Sequence, residues 1–374
     1  MKELNNPFVV YGYKGAAYFC DRESETEKIS KGLENERNIA LIAPRRIGKT
    51  GLVHHVFSHI REQHPEICCI YFDILATKTL EQFVQVMARN VLGRLDSPTQ
   101  TALHKVQEFF SGFRPTMTFD TNTGMPTFSL DIVKNQEEQS LQRIFEYLKQ
   151  AGKRCYIAID EFQQITRYPD TDTEALLRSF IQFVPNVYFI FAGSKQHMMS
   201  DIFLSPERPL YQGAQVINIK EIDEQVYYGF ANGLFLKRDQ QFPASTFHYL
   251  YEKVDGQTWY VQAILNRIYS NQSGEISDID VDMAITELIE EEEVAFENYY
   301  SSLTTNQAAL LTAIAKEQEV KSPMAQSFIG KYRLPALSSV KTALESLCEN
   351  QFIYQYHGSY IVYDRFFGMW LKSH

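Results

Sequence analysis

Short runs of apolar residues alternate along the first 220 positions with longer stretches whose apolar residues recur at helical spacing. The runs are 38–42 (NIALI), 67–72 (ICCIYF), 155–159 (CYIAI), 187–191 (VYFIF) and 216–219 (VINI). A run that is apolar at nearly every position, rather than at every second one, is the mark of a strand covered on both faces, as in a parallel sheet. Between the runs lie predicted helices at 23–33, after residue 48, at 80–95 and at 135–151. In the third of these, Phe83, Val84, Val86, Met87, Val91 and Leu92 fall on one helical face. Strand and helix in turn predict an α/β core with a parallel sheet.

The periodicity then changes. Residues 222–298 are helical in pattern, broken at Asp255-Gly256, with the acidic run Glu290–Glu293 near their end. That run is read as a solvated helix face. From 299 to 374 the order is three helices (304–316, 324–332, 337–350) and two short strands (352–354, 360–362) around His357-Gly358. Such a turn suits a hairpin wing, and the order is that of a winged helix. The expected division is a core at 1–221, a helical lid at 222–298 and a winged-helix domain at 299–374. A β-hairpin insert is expected at about 115–133, turning at Asn122–Gly124, either as decoration or as a surface for a partner.

The core's chemistry is concentrated at two strand ends. Residues 43–50 read APRRIGKT, between the first strand and a helix. Strand, tight loop, Gly48-Lys49-Thr50 and helix make the setting of a phosphate-binding P-loop. Backbone N–H groups of Pro44–Gly51 (Pro44 itself has none), with Arg45, Arg46 and Ile47 in the loop, would surround phosphates at the positive end of the helix. Lys49 can reach the β/γ-phosphates, and the Thr50 hydroxyl can take one position on Mg²⁺. Ala43 stands where the pattern has its first glycine. The second strand end is CYIAIDEF, in which Asp160 is placed to hold Mg²⁺ and Glu161 to act as general base on water. The strand at 187–191 runs into AGSK. There Ser194 either senses the γ-phosphate, with Lys195 the lesser candidate, or caps the helix that follows. Asp73, after the second strand, either touches the metal shell or only caps its loop, and the cap is the favoured reading. His55 and His59 have metal-ligand spacing but no third ligand nearby, and read as partly exposed helix residues.

Taken together, APRRIGKT, IAIDEF and FIFAGSKQHMM resemble the archaeal-type ATPase family, a branch of the STAND P-loop ATPases related to AAA+ proteins. Phe19–Glu25 (FCDRESE) is similar to the family's entry run, which implies that Asp21 and Arg22 help close the nucleotide site near the adenine. The ending at 360–371 (YIVYDRFFGMWL) is similar to the family's own. The resemblance implies a P-loop NTPase fold, ATP as ligand, Mg²⁺ as cofactor and an ATP-hydrolysing molecular switch. The alternative it leaves open is a DNA-associated ATPase. The chain departs from the family at Ala43, at Pro209–Gly213, where an arginine is missing, and at Gly256-Gln257-Thr258, which lacks a proline.

Composition narrows the partners. The chain has 374 residues, 44% hydrophobic and 22% charged, with a net charge of −10. That balance argues against a dominant nucleic-acid surface. The segment 302–374 is only weakly basic, with seven cations to five acids, and its third helix offers Lys341 beside Glu345 and Glu349. DNA is therefore not favoured over a protein partner. Five cysteines without metal spacing predict reduced, buried thiols and a cytoplasmic protein. The N-terminus is too polar for a signal peptide, and no apolar run approaches membrane-spanning length.

Overall fold

The computed structural model describes residues 4–95, 113–119, 126–132, 136–169, 172–271, 274–356 and 358–373. They form two compact units: residues 11–223, and residues 4–10 together with 224–373.

In the first unit five strands form one parallel sheet: β1 (Ile39–Ile42), β2 (Cys68–Asp73), β5 (Cys155–Asp160), β6 (Val187–Gly193) and β7 (Gln215–Asn218). Their order is β2-β5-β6-β1-β7. The apolar runs form strands because both faces are covered. On one face Ile39, Leu41, Tyr156, Ala158, Ile190 and Ala192 pack against α1 (Glu23–Glu34) and α2 (Lys49–Gln63). On the other, Ala40, Ile42, Ile157, Ile159, Phe189 and Phe191 meet α3 (Leu80–Leu95), α4 (Glu137–Ala151) and later helices. Alternate residues of one strand thus enter two separate cores, as a pleated backbone requires. Registry brings the strand ends level: Ile42 lies beside Gly193, and Asp73 beside Asp160. In an open parallel sheet, ligands are bound at this end. The expected hairpin is present as β3 (Phe113–Phe119) paired antiparallel with β4 (Pro126–Ile132). Its turn at 122–124, and the rest of 115–133 outside these strands, lie outside the described residues.

The second unit is helical. Helices α7 (Glu224–Leu236), α8 (Ala244–Lys253), α9 (Thr258–Asn271) and α10 (Asp278–Ser301) precede a winged helix. The winged helix comprises α11 (Thr305–Glu317), α12 (Gln326–Lys331), α13 (Leu337–Glu349), the hairpin β8 (Ile353–Tyr356) and β9 (Ser359–Val362), and α14 (Arg365–Ser373). A bridge from Val320 to Tyr360 extends the wing. Two features were not expected. Helix α10 runs unbroken across residues 298–299, where the sequence pattern suggested a division. Residues 4–10 group with 224–373 rather than with the core that follows them. The reason is local: Phe8 is fully buried against Phe235 and Tyr269, and Asn266 Nδ2 donates to Phe8 O at 2.6 Å. No helix among the described residues is long and apolar enough to cross a membrane.

Candidate functional site

The loop 43–48 turns from β1 into α2 by two residues with positive φ, Arg46 (67°) and Gly48 (90°). Glycine at 48 takes that conformation without strain. Ala43 is not among the positive-φ residues, so the position where the pattern expects glycine makes no such demand. Its N–H donates to Gly193 O at 3.3 Å. Arg22, itself left-handed at φ 78° and buried, donates through Nη2 to Ile47 O at 3.3 Å and pairs with Glu25 at 2.9 Å. Arg22 therefore braces the loop from behind. Asp21, beside it, also has positive φ (55°), and burial raises its pKa. Phe19 stacks on His55 at 4.5 Å, and Tyr13 OH lies 2.9 Å from His55 Nδ1, so His55 is engaged by the entry segment.

The two predicted strand ends and the third meet at the start of α2. Lys49 Nζ lies 2.6 Å from Asp160 Oδ1 and 3.3 Å from Glu161 Oε1. Thr50 Oγ1 donates to Asp160 Oδ2 at 2.6 Å. Ser194 Oγ donates to Glu161 Oε2 at 2.7 Å. Lys49, Asp160, Glu161 and Ser194 are all buried. The capping alternative for Ser194 is not what the geometry shows: Lys195 is the N-cap of α6 (Gln196–Leu204), and no side chain caps it. Burial pushes Lys195 below the usual lysine pKa, aided by Arg167 and Arg45. Asp73 accepts from Leu75 N at 2.7 Å and caps its loop.

The electrostatics favour ionised acids. Burial pushes Asp160 up, but Lys49, the Thr50 hydroxyl and the Glu161 N–H outweigh it and hold its carboxyl below the usual range. Glu161 is also held low: burial and Asp160 act against ionisation, while Lys49, Ser194 and Gln163 prevail. Two neighbours here carry no motif of their own. Tyr71 OH donates to Asp160 Oδ2 at 3.1 Å, and Gln163 Nε2 donates to Glu161 Oε2 at 2.5 Å. Sequence reasoning missed both: Tyr71 reaches Asp160 because β2 lies beside β5, and Gln163 reaches Glu161 across the left-handed turn at Glu161, and no spacing shows either.

The site can accommodate polyphosphate and a hard cation. Lys49 already lies against anionic oxygens, and Thr50 with Asp160 offers two oxygen donors side by side, the donor type Mg²⁺ prefers. The arginine missing from Pro209–Gly213 has a neighbour in Arg208, which is paired with Glu174 and Asp201.

Comparison with known proteins bears on the family and the fold. Residues 19–264 match the model of an ATPase domain predominantly from Archaea, and residues 294–373 that of a probable winged helix domain. No curated protein matches the chain in sequence. Among solved structures, the Walker-type ATPase PABY2304 of Pyrococcus abyssi is similar with a TM-score of 0.67 at 18% identity, over 98% of this chain and 99% of that one. The ORC2 protein of Aeropyrum pernix, solved with ADPNP and ADP, gives 0.60 at 12% identity, over 98% and 95%. The ORC1 protein of the same organism, solved in complex with DNA, gives 0.57 at 11%, over 98% and 96%. At these identities the structures speak for the fold alone.

Proposed function

The chain belongs to the family of ATPase domains predominantly from Archaea and is an ATP-binding protein of that family; on that premise we propose that it hydrolyses ATP with Mg²⁺ and works as an ATP-dependent switch. The observation that carries the reading is the convergence of Lys49, Thr50, Asp160, Glu161 and Ser194 in one buried cluster. Lys49 exchanges carboxylate oxygens for those of the β- and γ-phosphates. Pro44–Gly51 enclose the phosphates, with Arg45 and Arg46 adding positive charge. Asp21 and Arg22 support the loop, Arg22 through Ile47 O. Thr50 and Asp160 would hold Mg²⁺, which supplies neutralisation of the charge on the phosphate oxygens.

Once Lys49 turns to phosphate, Glu161 Oε1 is released. The ionised carboxylate takes a proton from water as the water oxygen bonds to the γ-phosphorus. The bond from that phosphorus to the β–γ bridging oxygen breaks, and ADP leaves with those electrons. Ser194 fixes the other carboxylate oxygen. Core, lid and winged helix are the three working parts of this reading, with a protein partner as the reader of the switch. DNA stays the less favoured partner, because Lys341 on α13 lies 3.9 Å from Glu345 and the two form an i,i+4 pair.

The test is calorimetry of ATP binding and a steady-state turnover assay, each with and without duplex DNA. Lys49→Ala is expected to weaken ATP binding strongly. Equal affinity in both proteins refutes the site, and turnover that rises with DNA in a salt-sensitive way replaces the protein partner by DNA.

A further inference from the structure

We infer that Gln163 is a positioning residue for hydrolysis, which holds Glu161 so that its Oε1, and not Oε2, is the oxygen that receives the proton. This rests on the reading of Glu161 as the general base.

Glu161 sits at φ 55°, a left-handed conformation that an L-residue with a side chain adopts only when its surroundings impose it. Its carboxylate is divided between two kinds of neighbour. Oε2 receives two neutral donors, Gln163 Nε2 at 2.5 Å and Ser194 Oγ at 2.7 Å. Among the described residues, Oε1 takes one hydrogen bond, from Lys49 Nζ at the longer distance of 3.3 Å. A doubly hydrogen-bonded carboxylate oxygen is the less basic of the two, because its lone pairs are already engaged. Movement of Lys49 to phosphate then frees Oε1 alone.

Gln163 is built for this and for little else. It is 2% exposed, and its own Oε1 is buried without a hydrogen-bond partner among the described residues. Turning the amide over would set its oxygen against the Glu161 carboxylate, so charge fixes the amide's orientation. The fold thus leaves an acceptor unpaired in order to aim a donor at Glu161. The space for it comes from Gly193, where an added Cβ would run into Gln163 Oε1 and Met199. The backbone beneath is pinned as well. Gln163 lies in the 3₁₀ segment Phe162–Arg167, where Gln164 Nε2 donates to Thr77 O at 2.8 Å and Thr166 Oγ1 donates to Gln163 O at 2.9 Å. Strand end, sensor strand and 3₁₀ turn therefore converge on one carboxylate oxygen.

The test uses the full chain with Gln163→Glu, which keeps the shape and replaces the donor, and Gln163→Met, which keeps the volume and removes the polarity. Glu161→Gln is the benchmark. ATP affinity by calorimetry is expected to stay within about threefold in both Gln163 variants, while kcat falls about tenfold or more. Gln163→Glu, which fills the same space without the amide donor, is expected to lose as much kcat as Gln163→Met, with the loss in kcat and not in KM. A role in packing alone spares Gln163→Glu, which keeps the side chain's size and shape. If either variant is folded and keeps kcat while Glu161→Gln is strongly impaired, the inference on Gln163 is overturned and the site reading stands. If Glu161→Gln itself turns over normally, the general-base reading and this inference fall together.

Discussion

The two units bury different things. In residues 11–223 the buried groups include Arg22, Lys49, Asp160, Glu161 and Glu174, all ionisable. Among the described residues of 4–10 and 224–373, the buried polar side chains are Thr246, Gln257, Gln262 and Ser359, none of them charged. That unit is held by rings instead. Phe366 meets Tyr260 edge-on at 4.8 Å, and Phe367 and Trp370 stack at 5.8 Å beside Phe296 of α10. Burying a charge is costly unless partners compensate, so a fold keeps such groups where they are used. The contrast assigns chemistry to the first unit and packing to the second. It also explains the aromatic ending at 363–370. Phe366 joins the winged helix to α9, whereas Phe367 and Trp370 close the winged helix onto α10.

The contrast breaks first, if it is wrong, at Glu161. Glu161→Gln keeps the side chain's shape and removes the proton acceptor. Turnover of ATP is expected to fall by about 10²-fold or more, the usual scale for a general base, with ATP binding retained by calorimetry. Normal turnover would place the chemistry elsewhere and erase the difference between the units.

Trp370→Ala probes the other side. Removing a buried tryptophan from a packed aromatic cluster costs about 3–5 kcal/mol. Urea unfolding followed by circular dichroism is expected to show an early transition for the unit containing 224–373. ATP affinity should be kept at low urea. A matching loss of ATP affinity would show that the second unit also builds the nucleotide site.

Glu174 gives the contrast a pH signature. Burial raises its pKa from 4.5 to about 7, with Arg208 opposing and Asp172 and Asp201 assisting. An acid raised in the folded state binds its proton more tightly there than when unfolded. Its contribution to stability is therefore fully present below about 4.5 and is lost as pH rises to about 7. Glu174→Gln, which cannot ionise, is expected to melt a few degrees above the wild type at pH 8 and level with it at pH 4.5. The same difference at both pH values would mean that Glu174 is not strained by its charge.

These tests also mark what the sequence disclosed. The P-loop and the Asp160-Glu161 strand were legible because each motif is local: a few adjacent residues carry both the strand and the chemistry. Ser194 was legible only as one of two readings, since a serine before a helix serves equally as cap. Gln163 and Tyr71 carried no signal of role, because hydrogen bonds to Glu161 and Asp160 are set by strand order and by a left-handed turn, which no spacing reveals. The helices of the lid and winged helix followed from periodicity. Their continuity through α10 did not, for Glu290–Glu293 and the residues after them contain neither glycine nor proline to mark or deny a boundary. The return of Phe8 to pack with Phe235 and Tyr269 is a contact across more than 200 positions, invisible to any local pattern.

The smallest effect lies at one of the second unit's ion pairs, which lie at its surface. Arg365, at the start of α14, pairs with Asp255 at 2.7 Å, and its backbone N–H donates to Tyr260 OH at 2.9 Å. Asp255 belongs to the break between α8 and α9, so the pair fastens that break to α14 of the winged helix. Arg365 is largely covered, but Asp255 is 57% exposed, and water screens the pair. Exposed pairs of this kind contribute about 0.2–1 kcal/mol. Asp255→Asn is therefore expected to lower the urea midpoint of this unit only slightly, and by less in 1 M salt, where the Debye length is short. The Tyr260–Phe366 contact, being apolar, should not share that salt dependence: Phe366→Ala is expected to cost several-fold more at either ionic strength. If Asp255→Asn proved as damaging as Phe366→Ala, the second unit would be held by charge as well as by rings, and the division drawn between the two units would fail on its own ground.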